Sequence, residues 1–267
     1  MIARSFSPVR IAALLAAGVV ALSTTAPARI TKSRSTPSAV VDVPNDTPWY
    51  LTPFYSILVG GGFEYQTDRD QTEYGFPLLI EYNFSEKLTL TLEPIYTVID
   101  GKSPDIPSLR GFGDLDTTLD YELLRERRYR PAIGLEAAIR WPTAENPDLG
   151  SPGHDYTLGL IASKDLVFMD IDFNVLYTTI GGRGLADTVE ISLATSWRIN
   201  RELALIAEVA DVHHLGTLAG EQRDETEATL GLAWQVSHFL KLEQGIVFKE
   251  AGNWEAIFAW EWSFGGD

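Results

Sequence analysis

The sequence predicts an all-β fold: an antiparallel transmembrane up-and-down β-barrel of about twelve strands, occupying 53–267 of the 267 residues. Three observations predict it. First, the terminal segment from Trp254 to Phe264 reads WEAIFAWEWSF. A strand sends successive side chains to opposite faces, so Trp254, Phe258, Trp260, Trp262 and Phe264 share one face and Glu255 and Glu261 the other. An aromatic wall backed by carboxylates suits lipid outside and water inside. Second, period-two alternation persists from Pro53 onward, interrupted by turn residues every 12 to 20 positions or so, and helical spacing never takes hold. Third, the connections alternate between tight and long, as expected when turns lie on the periplasmic side of an outer membrane and loops on the extracellular side.

The chain opens with the form of an export signal over 1–28. Arg4 and Arg10 precede the apolar run 11–22, and Ala26-Pro27-Ala28 offers small residues for cleavage. The run is too short for a membrane-spanning helix, which needs about 20 residues. Residues 29–52, rich in Ser, Thr and Pro at their start, read as a flexible periplasmic leader. Strand-like segments follow at 53–66, 72–84, 87–99, 111–124, 129–141, 154–165, 166–180, 187–199, 201–214, 224–236, 238–250 and 253–264. Each exceeds the 9–11 tilted residues or so that cross a bilayer. The run Gly60-Gly61-Gly62 in the first suits a bend or a close backbone approach. An even strand count returns both termini to the periplasmic side.

The faces divide consistently. Within 187–199, Val189, Ile191, Leu193 and Trp197 oppose Glu190, Ser192, Ser196 and Arg198; within 224–236, Leu230, Leu232 and Trp234 oppose Glu227, Gly231 and Gln235. Arginine at Leu193 or Leu232 is therefore expected to be costly, and at Ser192 or Gly231 to be better tolerated unless it clashes sterically. Aromatics gather at strand ends. Trp197, Trp234, Trp262 and Phe264 would ring the turn side and Trp141 and Trp254 the loop side, as interfacial girdles do.

The polar face is acidic. In these registers its acids outnumber its bases about four to one; candidates for lining it are Asp114, Asp116, Asp170, Asp172, Glu190 and Glu227, with Arg140 and Arg198 among the few cations. So many carboxylates demand a wet lumen or pairing partners. Rings of Asp and Glu in water favour cations; the alternative is a closed barrel, its interior filled by a polar network, working at its surface.

Composition excludes other classes. Net charge is −16, or −18 once a signal carrying Arg4 and Arg10 is removed, which argues against nucleic acid as a partner. With no cysteine, thiol and Cys-metal chemistry are absent. His213 and His214 point to opposite faces, His154 lies at a loop edge and His238 in a tight turn beside Ser237, so neither a metal site nor a nucleophile–base pair emerges. The sequence predicts no enzyme and no cofactor. The partners expected are outer-membrane lipid, the outer-membrane assembly machinery and a small-molecule solute.

Three central segments carry a resemblance: GFGDLDTTLDYELL (111–124), RPAIGLEAAIRWPT (130–143) and DYTLGLIASKDL (155–166). Gly111, Gly113 and Asp114, then Pro131, Pro142 and Thr143, then Asp155, Tyr156 and Gly159 resemble motifs of the outer-membrane family labelled for the MetA pathway of phenol degradation. The resemblance implies an exported barrel of a Gram-negative outer membrane, porin-like, associated with uptake of small, often aromatic compounds. It carries over no substrate-contact residues. The loop after Thr143 and the tail Gly265-Gly266-Asp267 depart from the family pattern.

Overall fold

A computed structural model describes residues 57–68, 70–102, 107–182, 185–215, 224–249 and 253–264. The expected signal and leader, and the tail after Phe264, lie outside the described residues. Twelve antiparallel strands form a closed barrel: β1 (Ile57–Thr67), β2 (Gln71–Ser85), β3 (Leu88–Gly101), β4 (Leu109–Leu124), β5 (Ala132–Trp141), β6 (Asp155–Asp165), β7 (Met169–Thr179), β8 (Asp187–Arg198), β9 (Leu203–Leu215), β10 (Glu225–Gln235), β11 (Leu240–Lys249) and β12 (Trp254–Phe264). Each strand pairs with its sequence neighbours, and β1 closes on β12 from Ile57↔Phe264 to Thr67↔Trp254. Closure leaves no sheet edge, which is what a spanning sheet in hydrocarbon requires. The fold is the transmembrane barrel that the alternation predicts.

Differences from the expected strands are confined to their ends and have local causes. The fifth begins at Ala132 rather than 129, because residues 125–131 form a turn closed by an isolated bridge between Arg127 and Arg130. The seventh begins at Met169, since Leu166, Val167 and Phe168 make the turn. The ninth begins at Leu203, so Glu202, expected on the inner face, sits in the turn instead. The 142–154 connection contains a single 3-10 turn, Pro147–Leu149, capped by Asn146.

The two faces differ as the alternation requires. Outward positions carry the exposed apolar side chains, among them Phe76, Leu158, Leu160, Leu193, Leu230 and Phe258. Trp141, Trp254, Trp197, Trp234, Trp262 and Phe264 all stand on this outer face, the first two near the loop end and the rest near the turn end. Inward positions carry Gly, Ala, Ser, Thr and charged residues, many of them buried. Prolines stand where the ladder is broken: Pro94 abuts the bulge that sets Tyr96 opposite Phe112, and the β1–β2 pairing lapses beside Pro77, because proline has no N–H to give a ladder.

Candidate functional site: the inner face of the barrel

The register fixes which side chains share the lumen. Asp116, Arg140 and Asp155 face one another across β4, β5 and β6. Arg140 donates two hydrogen bonds to Asp116, both 2.8 Å, in the planar fork geometry that guanidinium and carboxylate share. Arg198 Nη2 donates to both carboxylate oxygens of Asp170, at 2.9 and 2.8 Å, while its Nη1 stands 3.4 Å from Asp165. Asp172 lies on the same face, opposite Ser163 and Ala194. Glu190 faces inward between Leu176 and Val212. Glu227 lies 3.8 Å from the Lys249 ammonium, which holds Glu255 at 2.7 Å and donates to Gln66 at 3.0 Å. Lys241 is 2.7 Å from Glu243 and 3.6 Å from Glu261.

Each inward Arg and Lys named here is thus held by at least one carboxylate, while the surface they share bears further acids. Glu64 and Glu73, on β1 and β2, face the Lys249 cluster; Asp155 and Asp165 join the two arginine pairs. These four were missed in the sequence. Glu64 follows the glycine run on the parity of Gly60 and Gly62, a signal available from alternation alone. Asp155 sits opposite Arg140, which only the pairing register reveals.

Asp114 is placed differently from the other acids. It lies in the stretch where the β3–β4 register shifts and is 7% exposed. Its carboxylate accepts the backbone N–H groups of Ala144 and Ser151, fastening the β5–β6 connection against the barrel wall. Glu145 N–H donates to the Phe112 carbonyl at 2.9 Å, and Leu115 N–H to Thr143 Oγ1 at 3.0 Å. Asp155 then accepts from Gly181 N–H at 2.9 Å, tying the same connection to the one after β7. A Cβ at Gly181 would come within 2.1 Å of the His154 carbonyl oxygen, so only glycine permits this approach.

The opposite wall sets small and apolar residues among its acids, Glu208 on β9 and Glu243 opposite Ala259. Gly60, Gly62, Ile206, Gly231, Gly245, Ile257 and Ala259 border a cavity of about 30 Å³, with Glu64 and Glu243 at its margins. Towards the turn end the interior is packed with polar groups: Glu122 and Asn83 are almost fully buried, and Thr89 donates to Asn83 at 2.6 Å.

The histidines stand apart. His213 faces outward near the loop end, its ring between Asp211 at 2.8 Å and Asp224 at 3.1 Å. The His214 amide and the His213 ring together hold the Asp224 carboxyl below its usual range. Because the two carboxylates occupy opposite ring nitrogens, they do not converge on one point. Among the described residues no group of three His, Asp or Glu is arranged to hold a metal ion.

No protein-family model matches the chain, so the phenol-degradation label suggested by the central motifs is not shown. No curated protein matches it either. Solved structures do. An outer membrane channel from Pseudomonas putida F1 matches at TM-score 0.64 and 12% identity, over 79% of this chain and 96% of that one. The NanC porin matches at TM-score 0.58 and 8% identity, over 77% and 98%. The KdgM porin in complex with disordered oligogalacturonate matches at TM-score 0.57 and 8% identity, over 77% and 99%. At such identities the likeness establishes the fold: this chain has the architecture of outer-membrane channel barrels.

Proposed function

We propose that the protein is an outer-membrane channel for small solutes, with a lumen that favours cations and neutral compounds over multivalent anions. The observation that carries this reading is the charge balance of the inner face. Arg140, Arg198, Lys241 and Lys249 are each engaged by carboxylates, and the inward acids, among them Glu93, Asp116, Asp120, Glu136, Asp155, Asp170, Asp172, Glu208 and Glu243, outnumber them. Acids in a water-filled passage with low-dielectric walls focus a negative potential along it. Asp114, Asp116, Asp170, Asp172, Glu190 and Glu227 line the proposed path, with Arg140 and Arg198 steering their carboxylates. Such a wall is unsuited to a polyanion like the oligogalacturonate found with the KdgM porin. The central motifs support small aromatic compounds as cargo, and the apolar stretch around Gly231 and Ile257 gives an uncharged ring a surface to pass over.

In this reading the tight turns face the periplasm, the terminal strand ending at Phe264 is presented to the assembly machinery, and 1–28 direct export. Conductance of the refolded protein in planar bilayers, with swelling of liposomes in neutral sugars of graded size, tests it. Ohmic steps and size-limited swelling are expected. A closed barrel working through its surface draws on the polar packing around Glu122 and Asn83 at the turn end; silence in both assays from folded protein would favour it.

A further inference from the structure

The tight turns between β4 and β9 carry side chains that a turn in open water has no use for. The β6–β7 turn is Leu166-Val167-Phe168, with Val167 83% and Phe168 64% exposed. Short turns ordinarily use Gly, Asn, Asp or Ser. Here a β-branched residue takes the left-handed conformation, φ 73° at Val167, which such residues rarely adopt. The shape is held from beneath: Asp165 accepts the Val167 N–H, and Arg198 donates to the Val167 carbonyl at 2.8 Å. An apolar tip is thereby held in a fixed presentation.

The neighbouring β4–β5 turn supplies the opposite chemistry. It contains Arg125, Arg127, Arg128 and Arg130 around Tyr129, which is 85% exposed and has the Arg128 guanidinium 5.1 Å over its ring. The two turns form one surface, joined by the Lys164–Glu126 ion pair and by Asp165 N–H donating to Glu126 at 3.3 Å. Nearby acids are already engaged, Glu86 with Arg125 at 2.7 Å and Glu126 with Lys164. Arg127 and Arg128 are exposed and have no acidic partner among the described residues. On a chain of net charge −16, a cationic arc is the exception. It is also continuous with the lipid-facing belt, since Tyr121 and Trp197 stand on the outer face of the strands that lead into it.

We propose that this arc, formed by the β4–β5 and β6–β7 turns, is a docking surface for anionic phospholipid in the leaflet that adjoins the turns. Val167, Phe168 and Tyr129 enter the interfacial region, and Arg127 and Arg128 meet phosphodiester oxygens, for which the guanidinium fork is suited, while Arg130 braces the turn by donating to the Arg125 carbonyl at 2.9 Å. Anionic headgroups supply both the charge that the arginines lack and the apolar depth that the tips need. The surface stands independently of conduction through the lumen.

Because the chain has no cysteine, Val167→Cys gives a single thiol for an environment-sensitive fluorophore on the full chain. Reconstituted in phosphatidylcholine vesicles with about one-fifth phosphatidylglycerol, the label should be shielded from aqueous iodide. Brominated phosphatidylglycerol should quench it at least about twofold more than brominated phosphatidylcholine at equal mole fraction. A label at Ser237→Cys, beside the exposed Phe239 in a turn without arginine, should show no such preference. R127Q/R128Q should abolish the preference at position 167 and its lysine counterpart should retain most of it, both proteins remaining heat-modifiable. Equal quenching by the two lipids at Val167→Cys overturns the proposal, whatever the arginine variants do. Free access of iodide to that label overturns it too and points to a soluble acidic partner instead.

Discussion

The two halves of the inner wall solve the same problem with different residues. From β3 to β8 the wall is charged, with Glu93, Asp116, Asp120, Glu136 and Asp172 facing inward, an Arg140–Asp116 pair towards the loop end and an Arg198–Asp170 pair towards the turn end. From β9 through β12 to β2 the wall is punctuated by small residues, Gly231, Gly245, Ala259, Gly62 and Pro77, which alternate with Glu208, Glu243 and Glu64. Twelve strands enclose less space than the larger porins do, so a second wall of long acids would fill the lumen. The difference shows where the width comes from: both arcs carry acids, and only the glycine side adds room between them.

The largest expected effect tests whether the faces are assigned correctly. Leu193→Arg, at an exposed outward position, should cost about 2–4 kcal/mol in lipid. Ala194→Arg, one residue on and facing the lumen, should cost under about 1 kcal/mol, the ordinary range for a surface change. Urea unfolding in vesicles followed by tryptophan fluorescence reads both, and equal losses would mean the faces are wrong.

Next is the small wall. Gly231→Val should cost about 1–3 kcal/mol, because its Cβ would stand 2.8 Å from the Gln244 carbonyl oxygen. This reverses the expectation that position 231 tolerates a large side chain. Ser192, 3% exposed and bonded to Asn174 at 3.1 Å, is likewise a poor site for arginine. An unaffected Gly231→Val protein would remove close approach as the reason for glycine there.

The charged wall distinguishes water from packing. Arg140→Met leaves Asp116 unpaired beside Asp114 and Asp155. In a wet lumen the loss should stay within about 1 kcal/mol; a dry, filled interior would raise it to about 3–5 kcal/mol. The same unfolding experiment decides.

The latch comes last, because conductance reads it as well as stability. Asp114→Ala removes the acceptor for Ala144 and Ser151 and should cost about 1–2 kcal/mol. Single-channel conductance should rise as the β5–β6 connection is released, and unchanged conductance would show that this connection does not narrow the path.

How much of this was legible follows from what alternation can encode. Strand number, closure and the inward parity of Asp116, Asp170, Asp172 and Glu190 all derive from a period of two, which a half-lipid, half-water sheet imposes on every strand. Asp114 was legible as an acid on the inner face, but its part as a latch depends on a register shift beside Pro94 and on a loop folding back, neither of which leaves a periodic trace. Glu64 was hidden because the preceding glycines were read as a bend. The need for glycine at Gly231 arises from strand coiling against Gln244, a three-dimensional fact with no local signature. The basic β4–β5 turn was visible as a tight connection, yet its meeting with Leu166-Val167-Phe168 needed β5 and β6 between them.

The central claim is that an acidic, water-filled path runs through the barrel, and its reversal potential in a potassium chloride gradient tests it most directly. The account predicts a potential shifted towards that of potassium, collapsing towards zero when Asp120, Glu136 and Asp172 are together replaced by their amides. Chloride preference, or no conductance from protein that remains heat-modifiable, would contradict it.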